Sequence, residues 1–324
     1  MKNDDATTHH QALTQATYGA TVGDNAVPAA DTPIEKGNTL LDLYKVESDP
    51  IVGGMGRVFR IRHTGWNTDL AMKQPKRELF QNEAQKQAFI HECDAWINLG
   101  LHPHIVSCYY VREIGGIPSI FSEWMDGGSL KGYINSGALY EGSEETVLER
   151  ILDISIQFAR GLHYAHEQQL IHQDVKPDNL LLTKTGEAKV ADFGLANAKT
   201  MLGAEAGNTP SGTGTIISKS GGYTPAYCSP EQQTEKGELT RRTDIWSWAV
   251  SVLEMFVGER PWNNGVVAGL ACEDYFDMER TPLPETMKAL LRHCFKQDEA
   301  ERPHDFKEIE TALLQIYHDS TAKA

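Results

Sequence analysis

Ile171-His172-Gln173-Asp174-Val175-Lys176-Pro177-Asp178-Asn179-Leu180-Leu181-Leu182 is the stretch whose reading decides the fold. It sets a carboxylate, Asp174, and a carboxamide, Asn179, beside Lys176 in one short loop that leads into an apolar strand. Thirteen residues after Asn179 comes Asp192-Phe193-Gly194, behind the strand Ala188-Lys189-Val190-Ala191. Moving a phosphoryl group needs such a set. A carboxylate must orient the attacking hydroxyl and take its proton, and hard oxygen ligands must hold Mg2+ against the phosphates. The bland alternative is two unrelated polar loops, and the joint pattern argues against it.

Upstream, Gly53-Gly54-Met55-Gly56-Arg57-Val58 sits between two strand patterns. Glycines let a turn approach phosphates and expose its N–H groups, but an ordinary glycine-rich hairpin has the same composition. Ala71-Met72-Lys73 then reads as a strand in which Lys73 points away from its apolar neighbours. It is either a phosphate-pairing lysine or an exposed edge lysine. Glu92 lies on the helix that follows, where it could pair with Lys73 or simply face solvent.

Residues 1 to about 38 lack apolar periodicity and predict a flexible tail. Short apolar runs at 41–43, 58–61 and 70–72 predict strands, with one helix from about Ala84 to Leu99. After Gly127-Gly128 the pattern turns helical. Val147–Glu167 carries Leu148, Ile151, Ile154, Phe158 and Leu162 on one face. Asp244–Val257 reads as a buried helix, and Thr286–Cys294 and Phe306–Tyr317 as further helices. The expected class is α+β: a β-rich N-lobe over 39–125, a helical C-lobe over 126–318 and a short tail over 319–324. Segment 197–222, rich in Gly, Ser and Thr, is long for a structureless loop inside a compact domain, so it is either functional or disordered.

The 324 residues carry a formal net charge of -15, which makes nucleic acid and anionic membrane surfaces poor partners. The five cysteines form no C-x-x-C pair, so reduced thiols are expected rather than a disulfide framework or zinc site. There is no signal-peptide pattern and no long apolar run, which points to a cytoplasmic protein unless the chain is a fragment.

From about Leu41 to Tyr317 the chain resembles the eukaryotic-like protein kinases, with the motifs in order and at normal spacing. The resemblance implies a bilobal protein-kinase fold, ATP with Mg2+ or Mn2+, and a protein substrate with a Ser or Thr acceptor. It implies Lys73 on the α and β phosphates with Glu92 as its partner, Asp174 as the base, and Lys176 steadying the transferred phosphate. Asn179 and Asp192 would hold the metal. Nucleotide contacts would come from Ile51, Val52, Gly53, Gly54, Gly56, Val58, Ala71, Ser129 and Leu181, with Ser122 as gatekeeper before the hinge residues Glu123 and Met125. Ser229-Pro230-Glu231 resembles the end of the activation segment, with Arg302 paired to Glu231. Asp244-Ile245-Trp246-Ser247 resembles the helix start that braces the catalytic loop. Lys176-Pro177 and Thr224 resemble the Ser/Thr-directed branch, Thr224 bridging to the base and lysine. The stretch from Trp96 to Val106 looks like bacterial versions.

Two positions depart from the family. Ile51 replaces the first glycine of G-x-G-x-x-G, which stiffens the loop. Gln173 stands where an arginine usually pairs with an activation-loop phosphate, and a neutral amide cannot supply that charge-assisted contact. The expectation is activity without that phosphorylation switch, although Thr200, Thr209, Ser211, Thr213, Thr215, Ser218 and Ser220 remain modifiable. A kinase-shaped scaffold and a small-molecule kinase are the rival readings. The first is opposed by the full polar set, the second by Ser229-Pro230-Glu231 and Arg302. A threonine-rich tail (Thr7, Thr8, Thr14, Thr17, Thr21) is either a docking segment or idle. Oligomeric state is not legible.

Overall fold

In the computed structural model, which describes residues 33–54, 56–193, 222–234 and 239–321, period-two alternation builds the central hairpin. Strands β4 (Gly56–His63) and β5 (Thr68–Pro75) pair antiparallel, with Phe59 opposite Met72 and Ile61 opposite Leu70. Those four side chains are buried, while alternate residues turn to the other face. The remaining strands of this unit are β1 (Thr39–Leu40), β2 (Tyr44–Val46), β3 (Ile51–Val52), β6 (Cys108–Ile114) and β7 (Ile117–Glu123). All seven form one antiparallel sheet in the order β1-β2-β4-β5-β7-β6, with β3 added on β4.

One sequence expectation fails here. The apolar run at 41–43 is a turn rather than a strand. Leu41 and Asp42 have φ of 50° and 53°, and the turn sets Leu40 opposite Tyr44. Side-chain hydrophobicity alone does not report that left-handed backbone.

Helix α1 (Glu83–Asn98) starts at Asn82, whose side chain accepts from Gln85 N at 2.9 Å. Phe89, Cys93 and Trp96 form its buried face, and the helix packs against β6 and β7. The Trp96 indole donates to Val106 O at 2.8 Å. These strands and α1 make a first compact unit from the described residues up to 102 together with 106–125. The second unit comprises 103–105 and the described residues from 126 onward.

The second unit contains a small sheet of β8 (Gly128–Ser129), β9 (Leu180–Leu182) and β10 (Ala188–Val190), in the order β10-β9-β8. Its helices are α2 (Leu130–Ser136), α3 (Glu144–Glu167), α4 (Arg241–Val257), α5 (Gly265–Leu270), α6 (Cys272–Phe276), α7 (Glu285–Cys294) and α8 (Phe306–Thr321). On α3 the buried stripe is Val147, Ile151, Ile154, Phe158 and Leu162, so Val147 takes the place expected of Leu148. Helix α4 begins at Arg241, capped by Thr240, and is buried from Thr243 to Val257. Helix α8 continues to Thr321, four residues past the expected end, and packs along α3. Among the described residues no helix is long and apolar enough to cross a membrane. The expected tail up to residue 32 and segment 194–221 lie outside the described residues.

Candidate active site

The first turn of α4 supplies the anchor of the loop quoted at the outset. Asp244 has no exposed surface. Its Oδ2 accepts from the backbone N of His172 at 2.7 Å and from His166 Nε2 at 2.8 Å, and its Oδ1 accepts from Gln173 N at 2.8 Å. Two adjacent backbone amides pointing at one carboxylate require a sharp bend, and Gln173 makes it with φ of 66°. That left-handed backbone is strained for a residue other than glycine, and the buried carboxylate stabilises it. Gln232 Nε2 holds the same bend from another side, donating to Gln173 O at 2.7 Å.

The bend aims Asp174. His172 fixes the next residue through its ring: Nδ1 accepts from Asp174 N at 3.3 Å while Nε2 donates to Ala191 O at 2.9 Å. The Asp174 carboxylate is held chiefly by Lys176 and Thr224, with Asn179 Nδ2 at 3.5 Å from Oδ2. Lys176 Nζ donates to Oδ2 at 2.8 Å, and the Thr224 hydroxyl donates to Oδ1 at 2.7 Å. Lys176 Nζ also donates to Thr224 Oγ1 at 2.6 Å, which closes a triangle of carboxylate, ammonium and hydroxyl. Asp174 is 4% exposed and Lys176 is partly buried, so the triangle is shielded from bulk water.

Asn179 closes the loop. Its Nδ2 donates to Asp174 O at 2.8 Å, which leaves the amide oxygen as the end able to face a cation. Ala191 N donates to Asn179 O at 2.8 Å, bringing Asp192 alongside, with φ of 66°. Phe193 beyond it is fully buried, its ring 4.7 Å from that of His172. Among the described residues no group of three or more His, Cys, Asp or Glu could hold a metal ion. Two protein oxygens, from Asn179 and Asp192, suit a magnesium ion that takes its other ligands from phosphates and water.

Other expected residues fall into two local sets. In the first unit, Lys73 lies opposite Val58, Val58 opposite Ile51, and Ala71 opposite Ser122. Gly53 N donates to Gly56 O at 2.9 Å at the end of the β3–β4 hairpin. A side chain at Gly56 would lie 2.2 Å from Gln74 O, so only glycine fits there. Ile51 and Val52 are 63% and 72% exposed, so both present apolar side chains to solvent at the start of this hairpin. Glu92 stands on α1, Glu123 ends β7, and Met125 is buried. In the second unit, Ser129 lies opposite Leu181. Gly54 is described, and Gly194 and the serines and threonines of the 197–220 segment are not.

The scaffold pairs are present as well. Arg302 donates through both terminal nitrogens to Glu231, at 2.8 Å each. Burial pushes the Glu231 carboxyl up, but the hydrogen bonds and charge of Arg302 outweigh it and hold the group below the usual range.

A family model for the protein kinase domain matches residues 52–315. The chain belongs to the protein kinase domain family. A probable serine/threonine-protein kinase of Clostridium perfringens is 32% identical over 275 residues, covering 82% of this chain and 37% of that protein. Another from Clostridium acetobutylicum is 27% identical over 286 residues, covering 86% of this chain and 41% of that one. Receptor-interacting serine/threonine-protein kinase 3 of Rattus norvegicus is 28% identical over 279 residues, covering 82% and 54%. The chain thus spans 37%, 41% and 54% of the lengths of these three relatives. The crystal structure of the PknI kinase domain from Mycobacterium tuberculosis superposes with a TM-score of 0.62 at 20% identity, covering 88% of this chain and 99% of that domain. The fold is therefore the α+β protein-kinase fold, as the resemblance implied.

The kinase motifs did not point to four residues. His166 bonds to Asp244 and Gln232 to Gln173 O, bracing the loop at 172–174, and the Tyr227 hydroxyl donates to Glu254 Oε2 at 2.6 Å. The available signal was Glu254 itself, a charge inside an apolar run that is buried from Thr243 to Val257.

Proposed function

We propose that this kinase domain transfers the γ-phosphoryl group of ATP to serine or threonine hydroxyls of protein substrates. The observation that carries the reading is the closed triangle of Asp174, Lys176 and Thr224. A carboxylate held against a side-chain hydroxyl at 2.7 Å is arranged to receive a second hydroxyl, that of the acceptor, and to accept its proton as the new bond forms. Lys176, 2.8 Å from the same carboxylate, supplies positive charge where the transferred group becomes most anionic.

Asn179 and Asp192 would hold the magnesium ion, which when bound neutralises phosphate charge. Lys73 is assigned to the nucleotide phosphates with Glu92 as its partner. Ser122, Glu123 and Met125, with Val58, Ala71 and Leu181, are assigned to the nucleotide base, and the Gly53–Gly56 turn and Ser129 to its remaining contacts. Five separate, buried cysteines suit a reducing, cytosolic compartment.

The test is incubation of the purified chain with radiolabelled Mg-ATP and a generic basic protein, beside Asp174→Asn. The wild type is expected to label the protein on serine and threonine, and the variant not to. Labelling of aminoglycosides or sugars in place of protein, or mainly phosphotyrosine, would refute the reading.

A further inference from the structure

Glu254 lies near the end of α4 with no exposed surface. A buried carboxylate without partners costs several kcal/mol, so its partners define what it does. Its Oε1 receives Lys131 Nζ in a short contact, and its Oε2 receives the Tyr227 hydroxyl at 2.6 Å. Burial, followed by the charge of Glu254, keeps the Tyr227 phenol protonated, so it can only donate to this carboxylate.

Tyr227 ends the turn that begins just after Thr224, and its N donates to Thr224 O at 2.9 Å. The turn is clasped from outside as well. Trp262 Nε1 donates to Ala226 O at 3.1 Å, and a side chain at Gly265 would lie 2.5 Å from the Tyr227 backbone. Segment 224–227 is therefore pinned at one end by Asp174 and Lys176 and at the other by Glu254. Lys131 is the second residue of α2, two positions after Ser129, and α2 also packs on the Pro177–Asn179 turn that carries Asn179.

We propose that Lys131 is a positioning residue for phosphoryl transfer to protein: through Glu254 and Tyr227 it sets segment 224–227, and with it the Thr224 hydroxyl, against Asp174. The inference rests on the kinase reading above. A purely structural ion pair would only neutralise a buried charge, and its loss would weaken every property of the domain together. A positioning pair acts on acceptor phosphorylation and leaves nucleotide affinity in place.

The experiment uses the full chain as wild type, Lys131→Met, Lys131→Arg and Tyr227→Phe. Three readouts are compared: kcat/KM for a generic basic protein, Kd for Mg-ATP by titration, and the thermal midpoint. Lys131→Met and Tyr227→Phe are expected to lower kcat/KM for the protein by roughly tenfold or more while Kd stays within about twofold. Lys131→Arg is expected to restore most of the activity. Tyr227→Phe removes a single hydroxyl and keeps the Lys131–Glu254 pair, so it decides the matter if Lys131→Met does not fold. Activity within about twofold of wild type in either folded variant overturns the inference. So does a loss shared equally by Kd and the thermal midpoint. An inactive wild type overturns the kinase reading itself, whereas an active wild type with active variants overturns this inference alone.

Discussion

Thr224 and Asp174, 50 positions apart in sequence, meet with the hydroxyl donating to Asp174 Oδ1 at 2.7 Å. The same hydroxyl accepts from Lys176 Nζ at 2.6 Å, so one side chain orients both charged groups. Thr224→Val keeps the shape and removes the bridge. A hydrogen bond to a charged group contributes about 1.5–3 kcal/mol, so kcat for protein phosphorylation is expected to fall by roughly 10- to 150-fold. Thr224→Ser should retain most of it. A Val variant as active as wild type in a steady-state assay would contradict the role given to this contact.

Asn179 offers a second separation. Its Nδ2 is committed to Asp174 O at 2.8 Å, which orients the amide oxygen for a cation. Asn179→Ala removes both the proposed ligand and the bond from Nδ2 to Asp174 O. The magnesium concentration giving half-maximal activity is expected to rise several-fold, and kcat to fall even at saturating magnesium. A magnesium titration of both proteins checks this; unchanged half-saturation would remove Asn179 from the metal site.

How much of this was legible in sequence follows from how local the causes are. Asp174, Asn179 and Asp192 announce themselves because a reactive loop packs its polar groups into a short stretch, and Arg302 and Glu231 through their motif neighbours. Helices α3 and α4 followed from apolar spacing to within a few residues. The turn at Leu41-Asp42 was missed because its cause is backbone conformation in a short hairpin. His166 is a buried polar residue on α3, and nothing local marks its pairing with Asp244, 78 positions away. Lys131 and Glu254, 123 positions apart, pair only because α2 and α4 meet in the folded unit.

The Glu231–Arg302 pair predicts a stability effect with a definite pH signature. The guanidinium side chain has no exposed surface, so removing it leaves the carboxylate it pairs largely buried and uncompensated. Arg302→Met is expected to cost about 3–5 kcal/mol in denaturant unfolding at neutral pH. Glu231 is held below its ordinary value of 4.5 in the folded state, so it stabilises the fold fully above that value. That contribution is lost as pH falls from there through the depressed folded value. Glu231→Gln should therefore flatten the acid limb of the stability curve, and an unchanged limb would show that other carboxylates set it.

Gln173 bears on control. It is 6% exposed, its N donates to Asp244 and its carbonyl accepts from Gln232, so its backbone is fixed without any phosphate. Its side chain is a neutral amide, which gives a phosphorylated loop far less to hold than a guanidinium would. Activity is therefore expected to survive removal of phosphate from the 197–220 segment. The check is to treat the purified protein with a phosphatase, verify the loss of phosphate by mass spectrometry, remove the phosphatase, and measure initial rates before rephosphorylation accumulates. Rates within about twofold of the untreated protein are expected, because the catalytic loop takes its geometry from Asp244 rather than from a modified residue. A collapse of turnover that returns on rephosphorylation would mean that a cation elsewhere in the chain reads the phosphate.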